Sequence, residues 1–179
     1  TLGRRVGEMH ALLAQAQGDP DFEPEPITPQ DLVLWSGFAQ KRLGAVLQAI
    51  SQRLASLPEA ARTQAQRLLS LRTHLFDRIV ELTRMPAEAL KTRYHGNLHL
   101  GKVLLAADDF LIFGFEGDTW LALEARRRKD SPLRDLASLL NSLDYARFAA
   151  LERAIVTRPE QGERFEQALG EWLASASEA

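Results

Sequence analysis

Tyr94-His95-Gly96-Asn97-Leu98-His99-Leu100-Gly101-Lys102 is followed a short way on by Phe113-Gly114-Phe115-Glu116-Gly117. Between the two stretches, Val103-Leu104-Leu105 and Phe110-Leu111-Ile112-Phe113 surround Ala107-Asp108-Asp109. Short apolar runs around a turn-forming cluster read as a small β-hairpin. Glycine-bearing loops at 95–102 and 114–118 flank it, and these loops carry the histidine, amide and charged residues of this region. Outside them the texture is helical.

Upstream, Leu2, Val6, Met9, Leu12, Leu13 and Ala16 recur at helical spacing. A chain that opens at Thr1 inside such a pattern reads as a fragment of something longer. Gly18-Asp19-Pro20 stops the helix, and the proline-rich segment through Pro29 reads as an extended loop. Thr28-Pro29-Gln30-Asp31 has the form of an N-cap with proline in the first helical position. The helix it opens carries Leu32, Trp35, Phe38, Leu43, Val46, Leu47, Ile50 and Leu54. Ser56-Leu57-Pro58-Glu59 matches a capping box and predicts a second long helix, with Leu68, Leu71, Leu75, Ile79 and Leu82 on one stripe and an end near Pro86. The expectation is a helical hairpin over 29–85 that serves as scaffold. Downstream, Ser131-Pro132 predicts another N-cap, and Leu133, Leu136, Leu139, Leu140 and Leu143 a helix. Two further helices are expected, around 146–157 and from Glu160 to Ala174.

A chain of 179 residues is one ordinary domain, or one lobe of a larger one. Its net charge of -2 gives no electrostatic reason to expect nucleic acid or an anionic membrane surface. No apolar run approaches the roughly 18 residues that span a bilayer. No signal-peptide pattern opens the sequence, so a cytoplasmic location is the expectation. The absence of cysteine excludes disulfides, thiolate metal sites and cysteine nucleophiles within the chain.

His95 and His99 stand four apart, an echo of metal-ligand spacing. The glutamate of a zinc-protease helix is missing, however, and Gly96 with Asn97 argues against a helix there, so no metal site is assigned. There is no nucleophile elbow, no Walker lysine motif and no G-x-G-x-x-G. Kinases place a catalytic base and a metal-binding amide in one loop with four residues between them, and a metal-binding aspartate on the next loop. Asn97 and Lys102 have that separation, and Gly114-Phe115-Glu116-Gly117 follows a strand, where the metal loop belongs. On spacing alone, plain glycine turns around a hairpin explain the pattern equally well.

The residues at 95–102 resemble the His-Gly-Asp-x-His-Leu-Gly-Gln loop of maltokinases, relatives of the aminoglycoside phosphotransferases that often occur fused to trehalose synthase. Phe113-Gly114-Phe115-Glu116-Gly117 is similar to their Ile-Asp-Phe-Glu-Gly loop, and Arg126 to Ala137 to the segment that follows. Leu143-Asp144-Tyr145-Ala146 resembles their Ser-Phe-Asp-Tyr element. Leu2-Gly3-Arg4-Arg5 with Met9-His10 resembles their first large-lobe helix, and Phe22 to Pro29 their acidic proline loop. The resemblance runs from near residue 2 to about 150. It implies a mainly α (α+β) fold: the helical C-terminal lobe of a protein-kinase-like, aminoglycoside phosphotransferase-like protein, occupying residues 1–179 without its N-terminal lobe.

The resemblance also implies roles. Asn97 stands at the catalytic-base position, Lys102 and Gly114 at metal-ligand positions, and His95 orients the loop. His99, Glu116, Arg126, Asp144 and Tyr145 fall in the sugar-binding regions. Three chemical positions are altered together. An amide cannot accept the sugar hydroxyl's proton, and losing a general base costs about 10²- to 10⁴-fold. Magnesium wants hard oxygen ligands, whereas Gly114 supplies none and Lys102 brings a cation. Glu116 remains as a single displaced carboxylate. The expectation is therefore a catalytically degenerate domain of a trehalose- or maltose-metabolising protein with a structural, regulatory or sugar-binding role. Its expected partners are maltose or a related glucoside, a fused or associated trehalose synthase domain, or further copies of itself. The alternatives are an active kinase making maltose 1-phosphate with ATP and magnesium once joined to its N-terminal lobe, and a free-standing helical interaction module. Trp35, Trp120 and Trp172 are expected as core or lid aromatics. Arg134 and Asp135 are expected to make ion pairs or cap contacts.

Overall fold

The computed structural model describes residues 1–84, 86 and 88–178. The chain divides into two compact units, Thr1–Glu25 with Leu90–Ala179 and the intervening Pro26–Ala89. The first carries both loops; the second is the helical segment. Short strands β1 (Glu25–Pro26) and β2 (Leu90–Lys91) lie where the chain passes from one unit to the other and back.

In the first unit, helix α1 (Leu2–Leu13) is capped by the Thr1 hydroxyl, which accepts from the Arg4 amide at 3.3 Å. Val6 and Met9 are buried and join Leu98 and Leu139 in the core, with Leu2, Leu13, Leu100 and Ile112 packed around them. The hairpin forms as expected. β3 (Val103–Ala106) pairs antiparallel with β4 (Asp109–Ile112) in the register Val103↔Ile112 to Ala106↔Asp109. Ala107 and Asp108 both take positive φ, 49° and 60°, the mirror-image turn that matches strand twist. Asp109, expected in the turn, is the first residue of β4, where its carboxylate takes a bidentate pair from Arg5 on α1. That pair holds Asp109 well below the ordinary carboxylate range, at about 2, with help from the Phe110 amide.

Helix α5 (Leu123–Arg126) is a single turn. Helix α6 (Leu133–Thr157) corrects the expected break near Leu143: it runs unbroken for 25 residues, since no glycine or proline intervenes. It begins one residue later than Ser131-Pro132 suggests, although the Ser131 hydroxyl still accepts from the Leu133 amide at 3.3 Å. Helix α7 (Gly162–Glu178) folds back onto α6 after a short turn.

In the second unit, helix α2 (Pro29–Arg53) has the full capping box: Thr28 accepts from the Asp31 amide at 3.2 Å, and Asp31 accepts from the Thr28 amide at 2.8 Å. The second capping box does not form. Ser56 donates instead to the Arg53 carbonyl at 2.8 Å within a 3₁₀ turn, and the next helix starts without a side-chain cap. That helix is also two helices, α3 (Glu59–Ser70) and α4 (Arg72–Glu81), separated at Leu71 by backbone at φ -83°, ψ 0°. The expected hairpin boundary at 85 lies outside the described residues. Leu47 is fully buried, but Phe38 from the same predicted stripe is 61% exposed, and the buried neighbour is Ser36, which donates to the Ile79 carbonyl at 3.3 Å. The helical period fixes a stripe but not which edge of it is covered.

Among the tryptophans, Trp120 is 95% exposed and is not a core residue. No described helix is long and apolar enough to cross a membrane.

Candidate functional site

The 94–102 loop enters through a two-way backbone bridge in which Thr92 and Asp130 exchange N–H···O bonds at 3.0 Å. His95 is wholly buried. Its Nδ1 accepts from the Asn97 amide at 3.3 Å, so the ring proton sits on Nε2 and is donated to the Phe113 carbonyl at 2.9 Å. One imidazole thereby links the first loop to the strand end that opens the second. Phe115 covers it, with ring centroids 4.9 Å apart.

Beneath the loop lies Asp135, 1% exposed, in the first turn of α6. Its Oδ2 accepts from the His95 amide at 2.7 Å, its Oδ1 from the Gly96 amide at 2.9 Å, and His10 on α1 meets Oδ2 at 3.0 Å. A buried carboxylate is tolerable only when its lone pairs are met, and here backbone donors and a helix N-terminus meet them. Gly96 takes φ +79°, and a Cβ there would lie 3.3 Å from the Gly117 Cα, so two glycines let the loops close on each other. Leu98 points fully into the core, and the Leu100 amide donates to Ser142 on α6 at 3.0 Å.

The open side of the pair holds His99, Lys102, Gly114 and Glu116. His99 is committed to its own loop, where Nδ1 accepts from the Gly101 amide at 3.1 Å. Lys102 reaches across to the second loop, and its Nζ donates to Glu116 Oε1 at 2.7 Å and lies 5.7 Å from the Phe113 ring centroid. A Cβ built on Gly114, which has φ +85°, would meet that Nζ at 2.6 Å and Lys102 Cδ at 2.8 Å. The lysine therefore fills the space into which a side chain at 114 would project. Its ammonium holds the Glu116 carboxylate below the ordinary range.

These residues do not fit magnesium. Asn97 offers an amide, Gly114 no donor, and the one carboxylate, Glu116, already holds a cation supplied by the chain itself. Among the described residues, no three His, Asp or Glu side chains converge as a metal set.

The structure thus brings together His95, Asn97, His99, Lys102, Gly114 and Glu116. Arg126 joins them by donating to the Glu116 carbonyl at 2.9 Å. Further along α6, Asp144 pairs with Arg147 on its own helix at 2.9 Å, and Tyr145 is 72% exposed. At 3.6 residues per turn, Asp144 lies about half a turn round α6 from Asp135. Sequence reasoning missed Asp135 and His10 as loop anchors. An acid in a helix's first turn ordinarily reads as a cap contact. Arg134 does make the expected ion pair, with Asp130.

No protein-family model matches the sequence. The chain is 26% identical over 144 residues to the glucosamine kinase of Streptacidiphilus jiangxiensis, covering 80% of this chain and 29% of that protein. The solved structure of a glucosamine kinase in complex with glucosamine, ADP and inorganic phosphate superposes with a TM-score of 0.66 at 23% identity, over 98% of this chain and 40% of that one. A second crystal form of glucosamine kinase gives 0.63 at 22% identity, over 96% and 38%. The fold is shared with part of a sugar kinase. The chain spans well under half the length of these relatives. The likeness supports the kinase-like helical lobe in its coarse form; nothing in it is specific to maltokinases or to trehalose synthase.

Proposed function

We propose that this chain is a sugar-kinase-like helical lobe in which phosphate transfer has been lost and a structural, regulatory or sugar-binding role remains. One observation carries the reading: Lys102 lies across Gly114 and pairs with Glu116, so a tethered cation stands between the two loops where the kinase chemistry would need a metal held by carboxylates. Asn97 adds the absence of a base for the sugar hydroxyl's proton. The loop resemblance favours a maltose- or trehalose-metabolising parent, and the similarity to glucosamine kinases widens the sugar class to amino sugars. The exposed apolar residues of the second unit, Val33, Leu34, Phe38 and Val46 among them, suit a docking role.

Calorimetric titration of the full-length protein with maltose, glucosamine and ATP, each with and without magnesium, tests this. Sugar binding without magnesium-dependent nucleotide binding is the expected result. Magnesium-dependent ATP binding followed by formation of a sugar phosphate would sink the reading and restore the active kinase. The triple variant N97D/K102Q/G114D should gain binding of manganese, read by electron paramagnetic resonance, because it removes the internal cation and adds two carboxylates.

A further inference from the structure

Two helix faces, one in each unit, are open to solvent and opposite in charge. On α2, Ser36 and Leu47 are buried, and the other side of the helix carries Leu34, Phe38, Ala45 and Ala49, all exposed. Lys41 and Arg42, about 100° apart round the helix, flank that line, and Arg53 follows about three turns on. After Asp31 the helix holds no acid. On α7, Phe165, Leu169 and Leu173 form the half-buried side, towards α6. The outer side has small residues at its centre, Gly170 and Ala174. Around them stand Glu163, Glu166, Glu171 and Glu178, against the single cation Arg164. A Cβ at Gly170 would meet nothing within 4 Å, so the groove between the glutamates is open. Among the described residues, none of these lysine, arginine and glutamate side chains on α2 and α7 is ion-paired, whereas Arg62 and Arg78 pair with Glu59 and Glu81 on their own helices. Like charges held on one face repel. Glu163 and Glu166 stand three apart, α7 has no basic residue in its last turn to offset Glu178, and Lys41 adjoins Arg42. A face of opposite charge relieves that repulsion.

We infer that these faces are the two halves of a contact between copies of this chain, α2 of one copy against α7 of another. Phe38 seats over Gly170 and Ala174, and Lys41 and Arg42 on its two flanks meet Glu166 and Glu171 on the two flanks of the groove. The partner is a second copy because the chain itself supplies both faces, matched in charge and in the bulk of their central residues. The two faces differ, so the contact is heterologous and each copy offers both halves. α7 has 17 residues and is about 25 Å long. A single helix pair of that length covers less than the roughly 1,600 Å² of a standard stable interface. Association is therefore weak, and its charges make it salt-dependent. The inference rests on the docking role proposed for the second unit and gives that role a partner. It does not depend on the loop chemistry, so magnesium-dependent ATP binding would restore the kinase and leave this contact untouched.

Sedimentation equilibrium of the full-length protein, from micromolar to millimolar concentration, tests this in low salt and in about 1 M salt, where the Debye length falls to about 3 Å. The expected result is a mass that rises with concentration in low salt and stays near that of one copy in high salt. K41E/R42E makes both faces acidic, and E166K/E171K makes both more basic. Each variant alone should associate at least about tenfold more weakly. An equimolar mixture of the two should regain association, because the mixed contacts again join opposite charges. Gly170→Gln places a side chain where its own chain leaves open space, so it spares the fold while filling the groove, and it should weaken association about tenfold. A single-copy mass throughout the range in low salt overturns the inference, whether or not an unrelated protein binds the α2 face. So does association that neither charge reversal weakens, or a loss that mixing the two variants fails to restore.

Discussion

The two sides of the 94–102 loop are built by opposite rules. On the buried side, His95, Leu98 and Asp135 are sealed from solvent, and the polar groups that hold the loop there have partners: two backbone amides and His10 on the Asp135 carboxylate, a carbonyl and an amide on the His95 ring. On the open side, Lys102 and Glu116 form one partly exposed ion pair, with the lysine lying over Gly114. The buried side fixes where the loop runs, and the open side decides what the loop can do. Burial makes the first expensive to alter, because each unmet donor costs free energy; solvent makes the second cheap to alter. The groups on the open side of such a loop can therefore change while its course is retained.

Breaking the comparison hardest means removing its buried anchor. Asp135→Ala leaves the His95 and Gly96 amides without an acceptor, at about 1–3 kcal/mol for each buried donor. The expected loss in urea unfolding is roughly 3–5 kcal/mol, and a change below about 1 kcal/mol would show that the carboxylate is not the anchor. Gly96→Ala forces a side chain into φ +79° and to 3.3 Å from the Gly117 Cα, closer than an ordinary contact. A cost of about 2 kcal/mol is expected from the same measurement. On the open side, Lys102→Ala should change stability by at most about 1 kcal/mol, as partly exposed ion pairs do. A loss comparable to that of Asp135→Ala would erase the distinction between the sides.

The smallest effect concerns acid. Asp109 has its carboxyl lowered from the ordinary 3.8 to about 2 by Arg5 and the Phe110 amide. A lowered carboxyl contributes stability above its unfolded value, and that contribution disappears as pH falls through the folded one. The stability gap between the natural chain and Asp109→Asn should therefore be constant above about pH 4.5 and shrink towards pH 2. A gap that widens on acidification would mean that the Arg5–Asp109 pair does not form in solution.

Much of this was legible in the chain. The hairpin, the Thr28 cap and the positions of the two loops follow from local rules, namely turn residues, cap residues and period. The Ser56 capping box looked just as good and failed, because a 3₁₀ turn took its hydroxyl for the Arg53 carbonyl. The split at Leu71 carried no glycine or proline to announce it, and the continuity of α6 through Asp144 and Tyr145 was hidden by polar residues that helices readily accept on their open face.

The sequence by itself determined which chemical groups the two loops carry, since an amide at 97, a lysine at 102 and no side chain at 114 are facts of composition at known spacing. Only the tertiary structure decided what those groups do to one another. The Lys102–Glu116 pair spans two loops, and the His10–Asp135 contact joins residues 125 positions apart. Local propensity does not encode such meetings; they arise when the core of Val6, Met9, Leu98 and Leu139 closes and brings α1, the loop and α6 together.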